Sequence, residues 1–402
     1  MQVDPAEVGG TLYLADIRLV VGTRPEAIKL APVARALAAR GVRPGLIFTG
    51  QHPALDPTDH GLDPYEAVRL PCPGLANPHL HVKSVTEALL PQLLAEPPDL
   101  LVVQGDTSSA LGAALAGFCA GVAVAHVEAG LRSHNPAMPW PEEEYRTAID
   151  AQASLLFAPT EGAADNLRAE GVPGAIFVTG NSGIDALLAT RASLPATVVR
   201  DSAVPRLLVT CHRRENWGDG LQAIAAALRD LAADGSMAID VLLHPNPHVA
   251  ATMHRLLGAR RGIRLLAPCS HAELVERMLG CDLMLSDSGG VQEEAPALGV
   301  PLLVLRDATE RPEAIATGNM RLIGTRASRI VDEVRGLMSD VVSRARMARP
   351  SLPYGDGTAG PRIARIVEQW LIERLPRHPA MVRGSERAKL GAGSRAELRA
   401  VR

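Results

Sequence analysis

Aromatic residues are scarce in this sequence, at 3% of the chain, and neither sign of charge dominates, the formal net charge being −3. Ala, Leu, Val and Gly prevail instead, a composition of ordinary globular proteins rather than of disordered, fibrous or nucleic-acid-coating ones. Cysteine is limited to Cys72, Cys119, Cys211, Cys269 and Cys281, an odd number without the close paired spacing that a zinc site or disulfide framework needs. They read as reduced packing residues. The N-terminus lacks a basic segment followed by an apolar one, and no window approaches the run of about 18 apolar residues that spans a bilayer. The expectation is a cytoplasmic protein with no nucleic-acid or membrane partner.

What is present is a chain of 402 residues, more than one compact core usually fills, so two domains are expected. Short apolar, β-branched runs alternate with helical stretches, the pattern of parallel strands joined by crossover helices. A first series of strands is predicted at 17–21, 45–48, 100–103, 122–126, 155–158 and 176–178. A second is predicted at 207–210, 241–244, 264–266, 283–286, 302–305 and 322–323. The fold class is therefore α/β with two doubly wound, Rossmann-type parallel-sheet domains, and a ligand is expected in the cleft between them. The expected boundaries are 1–186 for the N-terminal domain, 187–206 for the connection and 207–360 for the C-terminal domain. A helix at 361–375 presents Ile363, Ile366, Trp370 and Leu371 on one face and is placed across the domain joint, with a disordered tail at 376–402.

The sharpest motifs follow directly on predicted strands. After 283–286 comes Asp287-Ser288-Gly289-Gly290 and then a helix opening at Val291, where glycines let backbone amides approach an anion and the helix N-terminus favours a phosphate. A Ser-capped strand-to-helix turn would carry the same residues. Gly22-Thr23-Arg24-Pro25-Glu26 follows the first strand, with Arg24 able to fork onto phosphate, and Cys211-His212-Arg213-Arg214-Glu215-Asn216 opens the second domain similarly. Either alone would also suit a solvated loop.

Carboxylates are arranged differently from a metal site. Asp106 ends one strand in Gln104-Gly105-Asp106-Thr107, Glu128 ends the next in His126-Val127-Glu128-Ala129-Gly130, and Glu142 opens a helix after Pro139-Trp140-Pro141. Neighbouring parallel strands bring such ends to one cleft, and carboxylates in unlike environments suit proton abstraction and return. Helix capping and first-turn acidity are the structural alternatives for Asp106 and Glu142. In His244-Pro245-Asn246-Pro247-His248 the prolines prevent a helical pair of imidazoles, so a polar ligand-facing loop is preferred to a metal site. No phosphate loop ending in Gly-Lys-Ser/Thr and no Gly-x-Ser-x-Gly elbow is present in the sequence.

Together, Gly22 to Lys29, Gln104 to Thr107, His126 to Arg132, Pro139 to Glu143, Cys211 to Glu215, Asp287 to Glu294 and Arg306 to Glu313 resemble the bacterial non-hydrolysing UDP-N-acetylglucosamine 2-epimerases, over about 17–371. The resemblance implies a glycosyltransferase-B-like (GT-B-like) arrangement and reversible conversion of UDP-N-acetylglucosamine to UDP-N-acetylmannosamine. UDP would leave through 2-acetamidoglucal and add back, with no cofactor or metal, in a homodimer. By position, Asp106, Glu128 and Glu142 would be the acid/base carboxylates and His212 the group near the leaving phosphate. Arg24, Lys29, His244, Ser288, Gly289, Gly290, Glu294 and Arg311 would bind substrate, with Arg24, Ser288, Gly289 and Gly290 at the diphosphate and Glu294 at the ribose. Gln51 and His52 lie in the loop that contacts a second, activating UDP-N-acetylglucosamine in the family. The segment after them departs from the family pattern, with Pro71-Cys72-Pro73-Gly74 in place of an acidic-aromatic stretch. A hydrolysing epimerase, a GT-B glycosyltransferase and a nucleotide-sugar sensor are the alternatives.

Overall fold

The computed structural model describes residues 15–62, 65–195, 204–211, 216–258 and 260–374. The expected tail at 376–402 and residues 196–203 of the expected connection lie outside these.

The first half contains strands β1 (Ile17–Val21), β2 (Gly45–Phe48), β3 (Ala67–Arg69), β4 (Leu100–Gln104), β5 (Val124–Val127), β6 (Leu155–Ala158) and β7 (Ala175–Val178). Its helices are α1 (Arg24–Ala39), α2 (Pro78–Ala95), α3 (Ser108–Ala120), α4 (Glu142–Asp150), α5 (Glu161–Glu170) and α6 (Ser182–Ser193). The second half contains β8 (Arg206–Thr210), β9 (Ala238–Leu242), β10 (Ile263–Leu266), β11 (Leu283–Ser286), β12 (Leu302–Val304) and β13 (Met320–Leu322). Between and after them run α7 (Asp219–Ala232), α8 (Pro247–Leu257), α9 (His271–Leu279), α10 (Gly289–Leu298), α11 (Glu313–Ala316), α12 (Ala327–Ser339), α13 (Val341–Met347) and α14 (Ala359–Arg374).

The strands form two parallel sheets, ordered β3-β2-β1-β4-β5-β6-β7 and β10-β9-β8-β11-β12-β13. Central strands such as β4 and β11 are buried throughout, because helices cover both faces of a parallel sheet and leave no room for polar alternation. The edge strand β3 was not among the expected strands. All of its residues are exposed, so no apolar run marks it. Three expected strands slide by a few residues: β5 starts after the left-handed turn at Gly121, β9 ends before His244, and β13 begins at Met320. Leu243 still donates its N–H to the Leu266 carbonyl at 2.9 Å, whereas His244 leaves the sheet and accepts at Nδ1 from the Asn246 N–H at 2.9 Å.

The two halves exchange helices. In α6, which covers the first part of the expected connection, Ile184 and Leu187 are buried with Leu208, Val275 and Met284 of the second half. Conversely α14 places Ile363, Ala364, Val367 and Leu371 in the core under the first sheet, beside Leu30 and Leu37 of α1. Ile366 and Trp370, expected on the same face, are only half-buried at its margin, and the Arg374 guanidinium stacks 4.4 Å from the Trp370 ring. Asp185 of α6 fixes the crossing, accepting from the N–H groups of Ala359 and Gly360 at 3.1 and 2.8 Å. A carboxylate at a helix N-terminus satisfies donors that lack intrahelical partners. Ile363 is fully buried, so Ile363→Val is expected to lower stability by about 1 kcal/mol in urea unfolding.

Candidate active site

In each sheet the strand order reverses between two neighbours, β1 and β4 in the first and β8 and β11 in the second. Connections leave these pairs in opposite directions, which opens a crevice at their carboxyl ends. The expected motifs Gly22-Thr23-Arg24 and Gln104-Gly105-Asp106 end β1 and β4, while Cys211 and Asp287-Ser288-Gly289-Gly290 end β8 and β11.

Glu26 holds the first of these crevices in shape. Its carboxylate accepts from the N–H groups of Gly22 (2.7 Å) and Thr23 (2.5 Å) and from the Thr107 hydroxyl (2.5 Å), joining the β1 and β4 loops. Burial nevertheless pushes its pKa up. A β-carbon at Gly22 would sit 2.0 Å from Ser109 Oγ, so only glycine lets this loop approach α3.

The expected carboxylates hang from one helix. Asp106 pairs with Arg146 of α4, and Glu142 is the first residue of that helix, half-buried. At the helix C-terminus, Asp150 accepts from Gly130 N–H (3.0 Å) and Arg132 (2.8 Å), and meets His126 Nδ1 at 2.6 Å. The other ring nitrogen of His126 donates to the Gly105 carbonyl at 2.8 Å, one residue from Asp106. His126 and Asp150 are fully buried, and His126 and Arg132 outweigh that burial to hold the Asp150 carboxyl below its usual range. Glu143 accepts from the N–H groups of Ser133 and His134, each at 2.9 Å. Thus Glu143, Arg146 and Asp150, spaced three and four residues apart on one face of α4, position the loops carrying Asp106 and Glu128.

Glu128 itself has φ = 73°, a left-handed conformation uncommon outside glycine and one that concentrates at functional sites. Its carboxylate accepts from Lys29 (2.5 Å), Gln104 (2.7 Å) and, across the domain joint, Arg311 (3.1 Å). Glu293 completes the group, 3.1 Å from Lys29 and 2.6 Å from Arg311. Arg311 also pairs with Glu310, which Arg306 binds from 3.0 Å. Burial holds Glu128 above the ordinary carboxylate range despite Lys29, with the Glu293 charge adding to the rise. At Glu293 the same burial is outweighed by Arg311 and Lys29, and the carboxyl lies below its ordinary value.

On the second domain, Ser288 caps α10 by position, but its side chain makes no cap hydrogen bond. Gly289 and Gly290 form the first turn, and a β-carbon on Gly289 would lie 2.9 Å from Arg311 Nη1. Arg311 therefore lies against the start of this helix as well as against Glu128. Buried Asp287 accepts from Asn216 Nδ2 at 2.8 Å, which anchors the turn from below.

The remaining expected residues take these places. Glu294 accepts from His271 Nε2 at 2.8 Å. Arg24 donates to the Cys269 carbonyl at 2.9 Å, another link between the domains. His244 lies edge-on to Trp217, ring centroids 6.1 Å apart. Gln51 accepts from Ser109 Oγ at 2.6 Å, and burial with the neighbouring His81 lowers the pKa of His52. His212 lies outside the described residues. Arg146, Asp150, Glu293 and His271 escaped sequence reasoning, since the partners that hold them on other elements lie 18 to 264 positions distant. Glu26 did carry a signal, the Thr-x-x-Glu capping box at Thr23.

A family model described as UDP-N-acetylglucosamine 2-epimerase matches residues 35–368. A probable UDP-N-acetylglucosamine 2-epimerase of Ralstonia nicotianae is 41% identical over 377 residues, covering 88% of this chain and 99% of that protein. The UDP-N-acetylglucosamine 2-epimerase of Salmonella typhimurium is 39% identical over 370 residues, covering 88% and 98%. The crystal structure of the Neisseria meningitidis UDP-GlcNAc 2-epimerase bound to UDP-GlcNAc superposes with a TM-score of 0.82 at 34% identity, covering 88% of this chain and 100% of that one. Spinosyn rhamnosyltransferase, at 17% identity and a TM-score of 0.54 over 88% of this chain and 100% of its own, shares the fold alone. The two-sheet GT-B-like architecture, the family match over most of the sequence and the level of identity agree: the chain belongs to the UDP-N-acetylglucosamine 2-epimerase family.

Proposed function

We propose that the protein is a non-hydrolysing UDP-N-acetylglucosamine 2-epimerase that inverts sugar C2 by elimination and re-addition of UDP. The observation that carries this reading is the hanging of Asp106, Glu128 and Glu142 on a shared buried framework, with the glycine turn of α10 joined to it through Arg311 and Glu128. In the elimination a carboxylate takes the C2 proton, the C2–H electron pair closes the C1–C2 double bond, and the C1–O pair leaves with the diphosphate. Re-addition returns UDP to C1 while a proton reaches C2 from the opposite face. The sequence is redox-neutral, so the acid/base groups and an anion-stabilising site suffice. Amide donors at Gly289 and Gly290 and the Arg24 guanidinium, with His212 as a further group near the leaving phosphate, would stabilise the charge that develops on departing UDP. Glu294 would take the ribose hydroxyls.

Incubation with UDP-N-acetylglucosamine in heavy water tests the reading. The expected result is a mixture of both UDP-sugars deuterated at C2, with little free N-acetylmannosamine. Predominant free sugar and UDP would instead establish the hydrolysing outcome. Glycosylation of an added acceptor without deuterium uptake would establish a transferase.

A further inference from the structure

The mechanism above uses Glu128 but leaves unexplained the carboxylate beside it. Glu293 projects from the first turns of α10, is 2% exposed, and bonds the same two cations as Glu128: Lys29 from α1 and Arg311 from the segment after β12. Two buried carboxylates, the buried Arg311 and the half-buried Lys29 thus alternate across the domain joint. The groups facing Glu128 are Lys29 from α1, Gln104 from β4, Glu293 from α10 and Arg311; Glu310 faces Arg311 from behind and is itself matched by Arg306.

We propose that Glu293 is a positioning residue for the epimerisation, drawing Lys29 and Arg311 partly away from Glu128 so that the acid/base carboxylate can take up and release a proton while the domains are docked. The inference rests on the functional reading above, in which Glu128 exchanges a proton with substrate. The physical case is one of charge matching. A carboxylate gripped by two unshared cations in a dry site is too weak a base to take a proton from carbon, because both cations favour its charged form. A second anion on the same cations halves that grip and adds its own repulsion. The raised pKa of Glu128 beside the lowered one of Glu293 agrees with this division of roles. Since Glu293 and Arg311 belong to the second domain and Lys29 and Glu128 to the first, the balance exists only when the two halves meet.

The experiment is a pH profile of kcat/KM for C2 deuterium exchange by the full chain, together with UDP affinity by calorimetry. In Glu293→Gln the limb belonging to Glu128 should move to lower pH by about one unit or more, with UDP affinity changed less than about threefold. Glu293→Asp, which keeps the charge, should leave that limb near its wild-type position even if kcat falls. Lys29→Met tests the balance from the other side. It removes one cation and leaves both carboxylates, so the limb should move to higher pH. A Glu293→Gln protein that loses kcat with its limb unmoved overturns the positioning role. If that variant does not fold, an unmoved limb in Lys29→Met overturns it equally. Wild-type protein that incorporates no deuterium at C2 removes the functional reading, and the inference falls with it; exchange by wild type with unmoved limbs removes the inference alone.

Discussion

Asp106→Asn should lower turnover by at least about a hundredfold, roughly 2.7 kcal/mol of transition-state stabilisation, while UDP binding stays largely intact. The substitution keeps the shape of the side chain and one oxygen for Arg146, so the β4 loop and α4 should remain joined. What it removes is a group able to gain and lose a proton at the first-domain side of the cleft. The proposed nucleotide contacts lie on other elements, chiefly the turn and first residues of α10, which is why binding and chemistry should separate. Single-turnover deuterium exchange and calorimetric UDP binding measure the two independently. Near-normal exchange would take Asp106 out of the acid/base set.

Gly130→Ala should be the most damaging small substitution near the site, lowering stability by about 2–5 kcal/mol. Gly130 adopts φ = 83°, where a β-carbon alone costs about 1–2 kcal/mol. That β-carbon would also lie 2.2 Å from the Ala163 carbonyl oxygen and 2.9 Å from Leu167 Cγ, and such overpacking adds about 1–3 kcal/mol. Because Gly130 N–H also bonds Asp150, relief of the clash would shift the loop that holds Glu128. Denaturant unfolding combined with the exchange assay should show both losses. Stability within about 0.5 kcal/mol of wild type would mean that the loop and α5 can separate at little cost.

Legibility from sequence followed burial and locality. Strands such as β1, β2, β6 and β11 appear in the sequence at their observed limits, because a strand covered on both faces is built mostly from apolar residues. Exposed β3 needs none and left no trace. The glycine turn at Asp287 to Gly290 and the placement of Asp106 and Glu128 on adjacent strand ends were equally readable, since each motif directly follows its strand. The supporting network was not. Arg146, Asp150 and Glu293 are charged residues on helices, which composition alone assigns to solvent; here they are buried because distant partners meet them. Sequence reasoning assigned Arg24 to diphosphate, and its hydrogen bond to the Cys269 carbonyl adds a domain-bridging contact that no local pattern encodes.

The exchange of helices between the two halves bears on how the chain is made. The first sheet can form once residue 178 has been synthesised, yet its hydrophobic core lacks Ile363, Ala364, Val367 and Leu371 until almost the whole chain exists. Vectorial synthesis therefore leaves the apolar flank of α1 uncovered while the entire second domain is translated, a period of tens of seconds at roughly 5–20 residues per second. Pro32 and Leu37 wait for a partner from the far end of the molecule, so the nascent first domain is the stage at which this protein is most exposed to chaperones and to misassociation.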